Sequence, residues 1–213
     1  MRLQHGLREE RRNAWSHALG FLIAAAGFPV LVVRAAGTGD PLHLVGCCIF
    51  GACLLATLAA SALYHGSIRP DRKRILRIVD HASIFVLIAG SYTPFCLGSL
   101  RGPWGWSLLG IVWSAAFCGV VFKIFFTGRH DRFSTFLYLS LSWLAVVAIG
   151  PMMENMVPGA LLFLVGAGIC FTVGVVFYSL DGRRGFHFIW HLLVLAGCGF
   201  LYGAVFVDIP VLG

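Results

Sequence analysis

Charged side chains divide this chain into long silent stretches. No Asp, Glu, Lys or Arg occurs over residues 13–33, 41–68, 81–100, 102–122, 133–153, 155–180 or 185–207. Each stretch offers the ~18–20 residues that a ~30 Å hydrocarbon core demands of a spanning helix. The pattern predicts an all-α membrane protein: one domain over residues 1–213, a bundle of seven transmembrane helices at about 14–34, 42–65, 79–99, 103–123, 133–153, 157–180 and 186–207. Helices are the expected form because every backbone N–H and C=O in lipid must find its partner within the segment. The first stretch lies too late and runs too long for a cleaved signal peptide, and no small-residue cleavage site closes it. It is expected to be retained, with the mature chain beginning near Met1.

Local signals refine this layout. Pro29 in span 1 and Gly90-Ser91-Tyr92-Thr93-Pro94 in span 3 are candidate kinks that neighbouring helices can accommodate. Span 2 is rich in Gly, Ala and Cys, a composition that permits close helix packing. Trp104, Trp106 and Trp113 mark one end of span 4, with Phe125 and Phe126 at the other, as an aromatic belt would. Spans 4 to 6 carry no polar cluster and read as the closing walls of the bundle. Gly166, Gly168 and Gly174 fit helix packing, since no strand precedes them and dinucleotide spacing is absent.

Composition agrees with the layout. Of 213 residues 59% are hydrophobic, mean hydropathy is +0.87, and only 12% are charged, about half the share in a soluble domain. In a soluble protein the net charge of +7 would suggest nucleic acid; here it reports topology. Fourteen of sixteen Lys and Arg residues fall in the N-terminal tail or at the second, fourth and sixth connections, leaving Arg34 and Arg101 on the other side. The positive-inside rule then places the N-terminus in the cytoplasm and the C-terminus outside the cell membrane. The basic collar also favours anionic lipid headgroups as partners over nucleic acid. The seven cysteines lie within apolar runs without a CxxC and read as small packing residues.

The candidate chemistry starts from His187 and His191. At helical spacing both imidazoles share a face, so the pair is either an interfacial hydrogen-bonding pair or part of a metal site. The alternating topology brings His65, Asp80 and Ser61 to the same end of the bundle. An ionisable residue within a span calls for a partner or a function, and for Asp80 the alternatives are a salt bridge to Arg74 or Arg77 and a catalytic role. His65 alone could cap its own helix. Three imidazoles with one open position are the ligand set of a catalytic zinc site. In that reading His65, His187 and His191 hold Zn2+, Asp80 holds or deprotonates a water, and Ser61 orients it.

Three segments carry a resemblance: Ser61-Ala62-Leu63-Tyr64-His65, then Asp80-His81-Ala82-Ser83-Ile84-Phe85 with Ala89-Gly90-Ser91-Tyr92-Thr93-Pro94-Phe95, then His187-Phe188-Ile189-Trp190-His191-Leu192. Together with Glu10-x-x-Asn13-x-x-Ser16-His17 they resemble the hemolysin III branch of the progestin and adipoQ receptor superfamily. The resemblance implies a seven-helix protein with zinc on His65, His187 and His191, with Asp80 and Ser61 near it. It also implies kinship to ceramidase-like amide hydrolases and a part in membrane lipid homeostasis. Many members carry a further histidine ten residues beyond the second span-7 ligand, where this chain has Leu201 followed by Tyr202. Cys198 stands where serine is common. Both positions lie roughly 10–16 Å from the metal level by helical rise, so they leave the ligand set untouched.

Three functions follow as expectations. The first is a zinc-dependent intramembrane hydrolase of a lipid amide or ester. The second is a non-enzymatic membrane sensor in which structural zinc clamps spans 2 and 7. Cytolysis by pore formation is physically poor, because no amphipathic pore-lining stripe stands out.

Overall fold

The computed structural model describes residues 2–210, and those residues contain helices and connections but no strand. The helices are α1 (Arg2–Ala36), α2 (Pro41–Gly66), α3 (Pro70–Leu97), α4 (Pro103–Phe126), α5 (Asp131–Ser142), α6 (Ile149–Asn155), α7 (Pro158–Ser179) and α8 (Phe186–Asp208). A six-residue 3-10 segment, Trp143–Ala148, joins α5 to α6. Those three pieces form one span, so seven helical segments are long and apolar enough to cross a membrane.

Proline and short polar caps set the boundaries. Pro41, Pro70, Pro103 and Pro158 open four helices, where the missing N–H costs nothing and the fixed φ already suits the helix. Asp40 caps α2 by accepting from the Leu42 N–H at 2.9 Å. Because α3 begins at Pro70, Arg72, Lys73, Arg74 and Arg77 stand on its first turns. Pro29 and Pro94 sit inside α1 and α3, which both continue past them.

The spans close a ring. α1 packs against α2 and α8, α2 against α3, α3 against α4, and α7 against α8, while α5 touches α4 and α7 more sparsely. Outward faces are apolar: Leu22, Val33, Phe117, Phe125, Leu162 and Val165 are all well exposed, as lipid-facing residues should be. α2 has the largest buried share of any span. Its small residues make that possible, since a Cβ on Gly46 would lie 2.8 Å from the Pro94 Cα. Small-residue contacts of this kind bring helix backbones together where no hydrophobic force separates protein from lipid.

The break in span 5 has a specific anchor. The Tyr92 hydroxyl on α3 donates toward the Leu141 and Ser142 carbonyls at 3.0 and 2.9 Å and accepts from the Ala145 N–H at 2.8 Å. Backbone groups released where α5 gives way to the 3-10 segment are thereby satisfied. The cysteines are all free thiols, and Cys47, Cys53, Cys96 and Cys198 are buried in helix contacts.

Candidate metal centre

The second span ends where the last one begins, and this brings three histidines together. His65 lies in the last turn of α2; His187 and His191 occupy the first two turns of α8. Gly185 precedes α8 with φ +83°, a left-handed conformation that glycine adopts without a Cβ clash. The three rings stand 4.6 to 5.3 Å apart, centroid to centroid. One ligand-capable atom from each lies within 4.8 Å of the others. His65 and His191 are buried and His187 is partly so. Three imidazole nitrogens so placed could hold a metal ion.

Carboxylates stand behind two of the rings. His65 Nδ1 lies 3.2 Å from Glu10 Oε2, and His187 Nδ1 lies 3.9 Å from Asp181 Oδ2. Both rings thus turn Nδ1 toward an acid, which leaves Nε2 as the nitrogen available to a metal. Lys73 also donates to Glu10. Behind the third ring lies His17, its centroid 4.2 Å from that of His191. Among the described residues neither nitrogen of His17, nor Nδ1 of His191, nor Oδ1 of nearby Asn13 has a hydrogen-bond partner. Sequence reasoning used Glu10, Asn13 and His17 only as markers of resemblance. Their spacing of three and seven residues from Glu10 was the overlooked signal, because it places all of them on one face of α1.

Asp80 and Ser61 complete the polar lining. The Ser61 side chain stands near the Asp80 carboxylate, and both line the same cavity as the histidines. Arg77 does not pair with Asp80. Its guanidinium donates to Asp131 Oδ2 at 2.9 Å, and the buried Lys123 amine donates to Asp131 Oδ1 at 2.9 Å. Asp80 is therefore left facing the cavity, whereas Asp131 is held by two cations. The amine of Lys123 is also 6.0 Å from the Tyr138 ring centroid, and the Tyr138 hydroxyl donates to the His81 carbonyl at 2.7 Å.

The cavity has a volume of about 300 Å³ and a mostly apolar lining, with its ionisable side chains gathered around the histidines and the hydroxyls of Ser91, Tyr92 and Ser142 farther along. Around the histidines it is lined by Ser61, Tyr64, Arg77, Asp80, His81, Tyr138, Tyr178 and Asp181; farther along, by Leu87, Phe95, Leu108, Met152, Phe171, Val194 and Leu201. Leu201 is buried and extends the apolar wall. Tyr202 turns away to α1, where its hydroxyl donates to the Gly27 carbonyl at 2.7 Å. Cys198 is buried as well.

Comparison with known proteins places this geometry. The sequence model described as Haemolysin-III related matches residues 5–202. The chain is 36% identical over 204 residues to Hemolysin-3 of Bacillus cereus, covering 96% of this chain and 93% of that protein. It is 40% identical over 199 residues to the Hemolysin-3 homolog of Bacillus subtilis (strain 168), covering 93% of each. No solved structure matches the chain. The chain belongs to the haemolysin III-related family and is a multi-pass membrane protein.

Proposed function

We propose that this haemolysin III-related protein is a zinc-dependent hydrolase of lipid amide or ester bonds, with its site opening toward the cytoplasmic leaflet. The observation that carries the reading is the meeting of three imidazoles within 4.8 Å in the wall of a mostly apolar cavity. The donor set fits Zn2+: all-nitrogen, from two helices, with space left for a fourth position. Among the described residues the buried Nδ1 of His191 has no hydrogen-bond partner, and a nitrogen lone pair left open in this way suits a metal ion. A borderline-soft ion is favoured over Mg2+ or Ca2+, which take oxygen ligands.

When bound, zinc would supply a Lewis acid that polarises a carbonyl and lowers the pKa of water toward ~7. The chain's own residues supply the rest. The apolar wall of Leu87, Phe95, Phe171 and Val194 takes up the acyl chain and excludes water from it. Its length sets the depth at which the scissile carbonyl halts, and fixing that depth is worth far more than affinity alone. Asp80 accepts a proton from the attacking water and returns it to the leaving nitrogen or oxygen, as a general base and then acid. Ser61, beside Asp80 in the cavity wall, orients the attacking water. The basic collar on the first turns of α3 favours anionic lipid at this end of the bundle, and the positive-inside distribution supports a cytoplasmic position for it.

The test is turnover against metal content. Detergent-purified wild type should cleave a member of an acyl-amide and acyl-ester lipid library; Asp80→Asn should keep its zinc and lose cleavage by 100-fold or more, the ~10²–10⁴ range of a general base. Full zinc occupancy with no cleavage of any library lipid would overturn the reading. One observation favours a second function: the three histidines join α2 to α8, helices held together mainly through α1. A metal there would clamp the ring shut, as in a non-enzymatic lipid sensor. In that case Asp80→Asn and Ser61→Ala would leave the cellular phenotype intact, while His65→Ala would abolish it.

A further inference from the structure

We infer that Glu10 is a positioning residue for the metal centre: its carboxylate fixes His65 in the Nδ1–H tautomer and directs Nε2 at the metal. The inference rests on the zinc reading above and deepens it. α1 contributes none of the three histidines, yet its first turns carry a polar face that looks into the bundle. Glu10 Oε2 stands 3.2 Å from His65 Nδ1; the His65 side chain is only 4% exposed and that of Glu10 34%, so the ring nitrogen is shielded while the carboxylate keeps one edge toward solvent. Lys73 on α3 donates to the same carboxylate oxygen. The carboxylate is therefore held from one side by a cation and presents a fixed acceptor to the ring on the other.

A neutral imidazole has one donor and one acceptor nitrogen, so a carboxylate on Nδ1 selects the tautomer with Nε2 unprotonated. It also fixes the ring plane. The neighbouring Glu9 strengthens the case that this turn of α1 is placed for the site, since its Oε1 accepts from the Gly185 N–H at 3.2 Å. Adjacent acids on α1 thus hold one ligand from α2 and the start of the helix that carries the other two. Asp181 reaches His187 Nδ1 at the longer distance of 3.9 Å, so Glu10 has the tighter hold.

The experiment compares wild type with Glu10→Gln, Glu10→Ala and Lys73→Ala in detergent. Zinc affinity is measured by chelator competition, and the His65 tautomer by 15N chemical shift in metal-free protein. Glu10→Ala should weaken zinc binding by ~10–100-fold, the usual loss for such carboxylates, and should mix the His65 tautomers. Glu10→Gln keeps an acceptor oxygen and should fall between Glu10→Ala and wild type. Lys73→Ala reports what loss of the cation alone does to packing, and should change zinc affinity less than Glu10→Ala. If Glu10→Ala binds zinc as wild type does and leaves a single Nδ1–H tautomer, Glu10 has no positioning role. If wild type itself binds no zinc, the metal reading fails; the tautomer shifts then still decide whether Glu10 sets the ring.

Discussion

The imidazoles of His17 and His191 face each other at 4.2 Å with an interplanar angle of 50°, and three of their four nitrogens lie buried without a partner. An orphaned buried polar group costs about 1–3 kcal/mol. His17→Phe keeps an aromatic ring against His191 and removes two of those nitrogens. In metal-free protein the substitution should leave the melting temperature unchanged or raise it by a few degrees. A clear drop would mean that the nitrogens of His17 have partners of their own.

Tyr92 tests the break in span 5. Its hydroxyl serves the Ala145 N–H at 2.8 Å and the carbonyls of Leu141 and Ser142. Tyr92→Phe strands these groups inside the bundle and should destabilise the protein by about 1–3 kcal/mol, read as a lower melting temperature. Hydrogen exchange should rise first at residues 143–148. Unchanged exchange there would contradict the role given to the hydroxyl.

Close packing of α2 on α3 predicts a contrast between two glycines. A Cβ on Gly46 meets Pro94 backbone atoms at 2.8 and 3.3 Å, whereas nothing lies within 4 Å of one on Gly110. Gly46→Ala should therefore cost about 1–3 kcal/mol, as overpacking against an unyielding backbone does. Gly110→Ala should be neutral or slightly stabilising, because alanine favours the helix. Equal effects in thermal unfolding would refute the tight α2–α3 contact.

At the other end of the bundle the Arg101 guanidinium beside Asp40 holds that carboxyl below the usual carboxylate range. A depressed folded pKa adds stability that is present above the unfolded value, ~3.9, and is lost as pH falls through the folded one. Asp40→Asn keeps an acceptor for the Leu42 N–H but removes the charge. The melting difference between wild type and Asp40→Asn should hold steady from pH 8 to about 5 and close below about pH 4. A difference that vanished well above pH 5 would contradict the role given to the Asp40 carboxylate.

Much of this fold is legible in the sequence, because lipid allows so few alternatives. Uncharged runs of sufficient length must be helices, and the seven spans follow. The meeting of His65 with His187 and His191 was accessible for the same reason: adjacent spans run in opposite directions, so motifs at matching ends share a level. Charged helical turns were harder to see. A hydropathy run starts at His81, but α3 starts at Pro70, and the opening proline was the better marker. The partner of Arg77 was out of reach. Asp80 is three residues away, yet the guanidinium pairs with Asp131, fifty-four positions along, a choice made by how α3 and α5 pack. The face formed by Glu10, Asn13 and His17 had readable spacing but no way to show which helix it would meet.

The central claim is that His65, His187 and His191 together hold zinc. Elemental analysis of detergent-purified protein tests it directly, with wild type set beside His65→Ala, His187→Ala and His191→Ala. Wild type should carry about one zinc per chain, the content of a single three-histidine site, and each alanine variant should lose most of it while remaining folded. Wild type purified from zinc-replete cells without the metal, or alanine variants that retain it in full, would contradict the account.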